Sequence, residues 1–89
     1  MNTLRLSLVQ IPFYWEDPKA NIQLLSEVLK PVQETDLIIL PEMWSTGFSM
    51  NTSKLAETMD GFTVQQMLSL ASSKNAAVAG SVMIRHHEN

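Results

Sequence analysis

Residues 37–48 read "LIILPEMWSTGF". Leu37, Ile38, Ile39 and Leu40 form an apolar run with no polar alternation. Such a run is typical of a strand covered on both faces, as in the parallel sheets of α/β proteins. Pro41 ends it, because proline has no N–H to give to the ladder. Glu42 follows at once, then a loop containing Trp44 and Phe48. A carboxylate at the end of the most hydrophobic strand is costly to bury unless something pairs with it or uses it. In open α/β sheets, active sites gather at the carboxyl ends of the strands. Glu42 is therefore a candidate general acid/base, with a loop cap or a surface ion pair as the structural alternative.

Upstream, "LRLSLVQI" at 4–11 starts by alternating. Leu4, Leu6 and Leu8 share one side and Arg5 and Ser7 the other, before Val9 and Ile11 make the second side apolar too. This predicts a strand entering a buried sheet. Asp17 followed by Pro18 predicts a helix start, with an N-cap acceptor and then proline at the first helical position. Ile22, Leu25, Leu29 and Val32 lie on one helical face, widened by Leu24 and Val28. Pro31 ends or kinks that helix near Lys30. Downstream, residues 43–62 make a connection of about twenty residues. That is longer than an ordinary loop, and it suggests a functional segment or a short helical turn near "SKLAET". Thr63 and Gln66 fit a capping box, and Val64, Met67, Leu68 and Ala71 form the next buried stripe. Asn75 can close that helix in the left-handed region. "AAVAGSVMIR" is the third strand, with Gly80 marking close packing or a bulge.

The predicted order is strand (4–11), helix (18–30), strand (37–41), helix (63–74), strand (77–85). Right-handed crossovers make the strands parallel neighbours. Two helices cover one sheet face and leave the other face of the second strand bare. The chain is accordingly expected to be the start of a larger domain, residues 1–89 forming an N-terminal part of it.

Composition narrows the function. The chain has 89 residues, 45% hydrophobic and 17% charged, with a net charge of −3. Six Lys and Arg are scattered rather than clustered, which argues against a nucleic-acid partner. No run of about 18 apolar residues can span a membrane. The N-terminus lacks the features of a signal peptide, which favours the cytoplasm. There is no cysteine, hence no disulfide, thiolate metal site or cysteine nucleophile within these residues. His86 and His87 are adjacent, a poor spacing for joint metal binding, and read as solvated turn residues. The methionines read as core and loop filler. No Gly-rich loop follows a strand, so a phosphate cradle is not supported.

In order and spacing, these segments resemble the nitrilase superfamily, the carbon–nitrogen hydrolases. The residues that carry the resemblance are "LRLSLVQ", "ANIQLLSEVL", "LPEMW-STGFSM" and "AETMDGFTVQQMLSLASSKNAAVAGSV", with Gly80–Ser81 at the third strand. "PEM-aromatic-x-x-GF-x-M" most resembles the ω-amidase branch, although Trp44 stands where phenylalanine is expected. The resemblance implies an N-terminal β-α-β-α-β part of an α-β-β-α sandwich and a Glu-Lys-Cys triad in which Glu42 is the glutamate. It implies hydrolysis of the terminal amide of 2-oxo acids such as 2-oxoglutaramate and 2-oxosuccinamate, no cofactor or metal, and a homodimer or higher homo-oligomer. Its lysine and cysteine have no counterpart here, since Lys19, Lys30, Lys54 and Lys74 fall outside the motif. Trp44 and Phe48 are candidate walls of the substrate pocket, or else pack the loop onto the sheet. Tyr14 and Trp15 are expected at the same edge, and Gln10 beneath it. The rival is a small non-catalytic α/β binding or interaction module in which Glu42 is structural.

Overall fold

The computed structural model describes residues 3–85, so the expectation for His86 and His87 lies outside the described residues. Six elements follow in order: β1 (Leu6–Leu8), α1 (Pro18–Leu29), β2 (Leu37–Ile39), α2 (Thr52–Leu55), α3 (Phe62–Lys74) and β3 (Ala77–Ala79). The sheet is parallel throughout, in the order β1-β2-β3. The doubly apolar strand is thus the central one, as its composition requires.

Register assigns the faces. Ser7, Ile38 and Val78 are paired across the sheet, and Ile38 is fully buried. This face meets the helices: Leu25 and Leu29 of α1 and Leu70 of α3 complete the core with Val9, Leu40 and Trp44. The opposite face carries Leu6, Leu37 and Ala77 in one row and Leu8, Ile39 and Ala79 in the next. There Leu6 is 52% and Leu8 71% exposed, whereas Leu37 and Ile39 of β2, whose face was expected bare, are half-buried between the outer strands.

The regular strands are shorter than the sequence suggests. Residues 4–11, 37–41 and 77–85 were expected to be extended partners, but only three residues of each form the ladder. Single bonds continue it at the carboxyl end, where Val9 donates to Ile39 O and Leu40 to Ala79 O. Beyond that, Pro41 has nothing to donate, and β2 turns away. Residues after Gly80 lose their neighbour and rejoin the chain elsewhere, through a parallel bridge between Ile84 and Glu57. At the amino end, Arg5 clamps Asp36 through its backbone N–H and two guanidinium nitrogens, at 2.8–3.2 Å. The Asp36 carboxyl is held below its ordinary range by these hydrogen bonds, the side-chain ones foremost.

α1 starts as the sequence predicts. Asp17 accepts from the Ala20 N–H, and Pro18 opens the helix. It ends at Leu29, where Lys74 Nζ reaches from α3 to the Leu29 and Val32 carbonyls, both at 2.7 Å. A cation there complements the helix dipole and adds a donor to the Leu29 carbonyl, which also accepts the Val32 N–H. The capping box expected at Thr63 and Gln66 does not form. α3 begins one residue earlier, after Gly61, and Thr63 lies inside it. The cap comes instead from Glu57, whose carboxylate accepts the Thr63 N–H and hydroxyl, each at 2.6 Å. A charged acceptor outcompetes a hydroxyl for a helix N-terminus when the chain can bring it there. Asn75 closes α3 in the left-handed region, as expected. The methionines divide. Met67 packs on the core, whereas Met50 and Met59 are exposed rather than filler.

Candidate active site

Three connections meet at the carboxyl edge of the sheet. The β1–α1 loop brings Phe13, Tyr14, Trp15 and Glu16; the β2–α2 loop brings Glu42 to Asn51; the segment after β3 brings Gly80 and Ser81.

Glu42 stands exposed on the first turn after β2. The next residue, Met43, has φ +53°, a left-handed conformation that is costly for a side chain other than glycine. Hydrogen bonds hold it there from both sides. The Met43 N–H donates to Ser81 Oγ at 2.8 Å. Its carbonyl accepts from Gly47 N–H at 2.8 Å and from Thr46 N–H at 3.3 Å. The turn is therefore fixed, while the side chain it displays is free. Neither structural role foreseen for Glu42 is in evidence among the described residues: α2 begins after Asn51 without a side-chain cap, and none of the described ion pairs includes Glu42.

Trp44 turns inward. It is 1% exposed, stacks edge-on against Phe13 with ring centroids 5.9 Å apart, and lies against Gly80. A Cβ on Gly80 would stand 3.1 Å from Trp44 Cδ1 and 3.2 Å from its Nε1, so only glycine fits without displacement. The close packing foreseen for Gly80 is thus packing on this indole. The indole N–H is buried and has no acceptor among the described residues. Phe48 faces outward, 66% exposed. Of the three site residues expected from the sequence, Glu42 and Phe48 are presented to the outside, and Trp44 supports their loop from below. Gln10 is exposed.

The two larger loops are locked together by a residue the sequence analysis did not single out. Asn21 in the first turn of α1 is fully buried. Its Oδ1 accepts the Tyr14 N–H at 2.6 Å, and its Nδ2 donates to the carbonyls of Tyr14 and Ser45, both at 2.8 Å. Ser45 belongs to the same turn as Glu42. Glu16 adds a backbone bond to Thr46 and accepts from Ser49 Oγ. Trp15, itself 63% exposed, lies across Gly47. Gly47 has φ +78°, and a Cβ there would come within 2.8 Å of that ring, so both conformation and space require glycine. A signal for Asn21 did exist: it sits four residues before Leu25 and eight before Leu29, on the buried stripe. A polar residue on such a stripe must find partners, because burying it unpaired is costly.

The described residues contain no cluster of three or more His, Cys, Asp or Glu side chains able to hold a metal ion. Among the described residues, no helix is long and apolar enough to cross a membrane.

The described residues form a parallel α/β sheet with a glutamate exposed on a clamped turn at its carboxyl edge, and residues 5–89 match the carbon–nitrogen hydrolase family. The chain belongs to that family. Among its relatives, the omega-amidase YafV of Escherichia coli K12 is 34% identical over 85 residues, which is 96% of this chain and 33% of that protein. A protein of the same name from Yersinia enterocolitica is 45% identical over 56 residues, 63% of this chain and 22% of the relative. The 2-oxoglutaramate amidase of Bacillus subtilis is 31% identical over 88 residues, 94% of this chain and 34% of the relative. In three dimensions the chain superposes with a TM-score of 0.91 on a CN-hydrolase superfamily protein from Xanthomonas campestris whose crystal structure holds an arsenic adduct in the active site. That protein is 41% identical, and the match covers 98% of this chain and 33% of the other. The chain thus spans between about a fifth and a third of the length of these relatives.

Proposed function

We propose that the protein carrying this chain is an amidohydrolase that releases ammonia from the terminal amide of a 2-oxo acid such as 2-oxoglutaramate or 2-oxosuccinamate. Glu42 is its general acid/base. The observation that carries this reading is the carboxylate of Glu42, exposed and without an ion-pair partner among the described residues, on a hydrogen-bonded turn at the carboxyl edge of the sheet. Its relatives, an omega-amidase and a 2-oxoglutaramate amidase, support this substrate class.

An amide has a poorly electrophilic carbon and a poor leaving group. A thiolate can attack it if a base takes the thiol proton and later delivers a proton to the departing ammonia. Glu42 performs both transfers, then takes a proton from the water that cleaves the thioester. A lysine stabilises the tetrahedral oxyanion. These residues contain no cysteine, and none of Lys19, Lys30, Lys54 and Lys74 falls in the motif of the family's lysine, so this reading takes the thiol and the oxyanion lysine from outside these residues. Phe48, exposed on the same loop, walls the substrate, and Trp44 forms the floor beneath that loop. No cofactor or metal takes part. The protein works in the cytoplasm as a homodimer or higher homo-oligomer.

The test is Glu42→Gln in the full-length protein, assayed on 2-oxoglutaramate. The amide keeps the size but cannot accept the proton. Turnover falls about 10²–10⁴-fold, equivalent to ~3–5 kcal/mol of barrier, while the melting temperature stays close to wild type. Nearly normal turnover with a lowered melting temperature would refute the assignment.

A further inference from the structure

We infer that Ser81 is a positioning residue for Glu42, an inference that rests on the proposed general acid/base role of that glutamate. The peptide unit joining Glu42 to Met43 is the last rigid piece of backbone before the carboxylate. Its orientation sets where the Glu42 side chain starts. Met43 follows it at φ +53°, a state that costs a non-glycine residue roughly 1–2 kcal/mol and that the chain would leave if it could. The carbonyl side of Met43 is held within its own loop, by Gly47 and Thr46. The N–H side has a different anchor. Its acceptor is Ser81 Oγ, 2.8 Å away and 38 residues later in the chain. This bond ties the turn to the segment leaving β3, beside Gly80 and the Trp44 indole.

A hydroxyl suits this task. It accepts the amide proton while its own hydrogen remains free to donate. Without it, the strained peptide relaxes, and Glu42 spends part of its time turned away from the reacting atoms. The rate then falls because a smaller fraction of molecules is correctly arranged, with substrate binding unaffected. Ser81 itself is exposed, so its hydroxyl contributes little to global stability.

The experiment uses the full-length protein with 2-oxoglutaramate and five forms: wild type, Ser81→Ala, Ser81→Thr, Glu42→Gln and the Ser81→Ala/Glu42→Gln double variant. Ser81→Ala should lower kcat roughly 3–10-fold, the range that follows from losing one hydrogen bond, with KM and melting temperature unchanged. Ser81→Thr, which restores the hydroxyl, should recover most of the rate. In the Glu42→Gln background, Ser81→Ala should cost nothing further, because no relay is left to misplace. If Ser81→Ala keeps full kcat while Glu42→Gln loses its own, the positioning role is wrong and the relay stands. A full extra loss in the double variant would also overturn it, since Ser81 would then act independently of Glu42. Normal turnover in Glu42→Gln would overturn the relay and the positioning role together.

Discussion

Replacing Asn21 by alanine tests whether one buried amide fastens the edge of the sheet. Its side chain makes three hydrogen bonds of 2.6–2.8 Å and has no access to solvent. Alanine leaves the Tyr14 N–H, the Tyr14 carbonyl and the Ser45 carbonyl without their partner. Each abandoned buried group costs about 1–3 kcal/mol. The Tyr14 pair is only partly buried and can recruit water, so the lower end applies to it, whereas the bond to Ser45 is wholly buried. The sum is about 3–5 kcal/mol. Urea unfolding of the full-length protein should show a loss of this size if unfolding is two-state. Amide exchange at Tyr14 and around Ser45 should accelerate more than exchange in β2. Asn21→Asp should be worse than alanine, because it keeps one acceptor for the Tyr14 N–H but sets a carboxylate against two carbonyls. A loss under 1 kcal/mol for alanine, or an aspartate variant as stable as wild type, would refute the assignment of Asn21 as the tie between the loops.

Gly80→Ala should destabilise by about 1–3 kcal/mol and change the tryptophan fluorescence, since the new methyl meets the buried Trp44 and Leu40 at 3.1–3.2 Å; an unchanged melting curve would contradict that packing. Asp36, with its folded pKa depressed below 3.8, contributes stability that is present above that value and lost as pH falls through the lower folded value. The melting temperatures of wild type and Asp36→Asn should therefore differ at pH 6 and converge toward pH 2; a constant gap would sink this reading.

The backbone of the fold was legible because its signals are local and physically overdetermined. An apolar run of four with no polar side, closed by a proline, is typical of a central strand, and 37–40 supplies β2 and its place between β1 and β3. Asp17 and Pro18 fix the start of α1, since capping and the fixed φ of proline act within one turn. Pro41 places Glu42 at the carboxyl edge by ending the ladder. Counting helices located an open face on the second strand, but the structure exposes Leu6 and Leu8 of β1 instead, since β2 is flanked on both sides. Tertiary structure decided what depends on which distant groups arrive together. Thr63 and Gln66 had the right spacing for a cap, yet Glu57 takes the helix N-terminus because a bridge to Ile84 brings its carboxylate there. Trp44 was as plausible on the outside as inside until Gly80 left room for it. Asn21 joins Ser45 across 24 residues and Ser81 joins Met43 across 38. Periodicity shows which face of an element is buried. A hydrogen bond between loops depends on the direction of single polar groups, and the packed sheet beneath sets that direction.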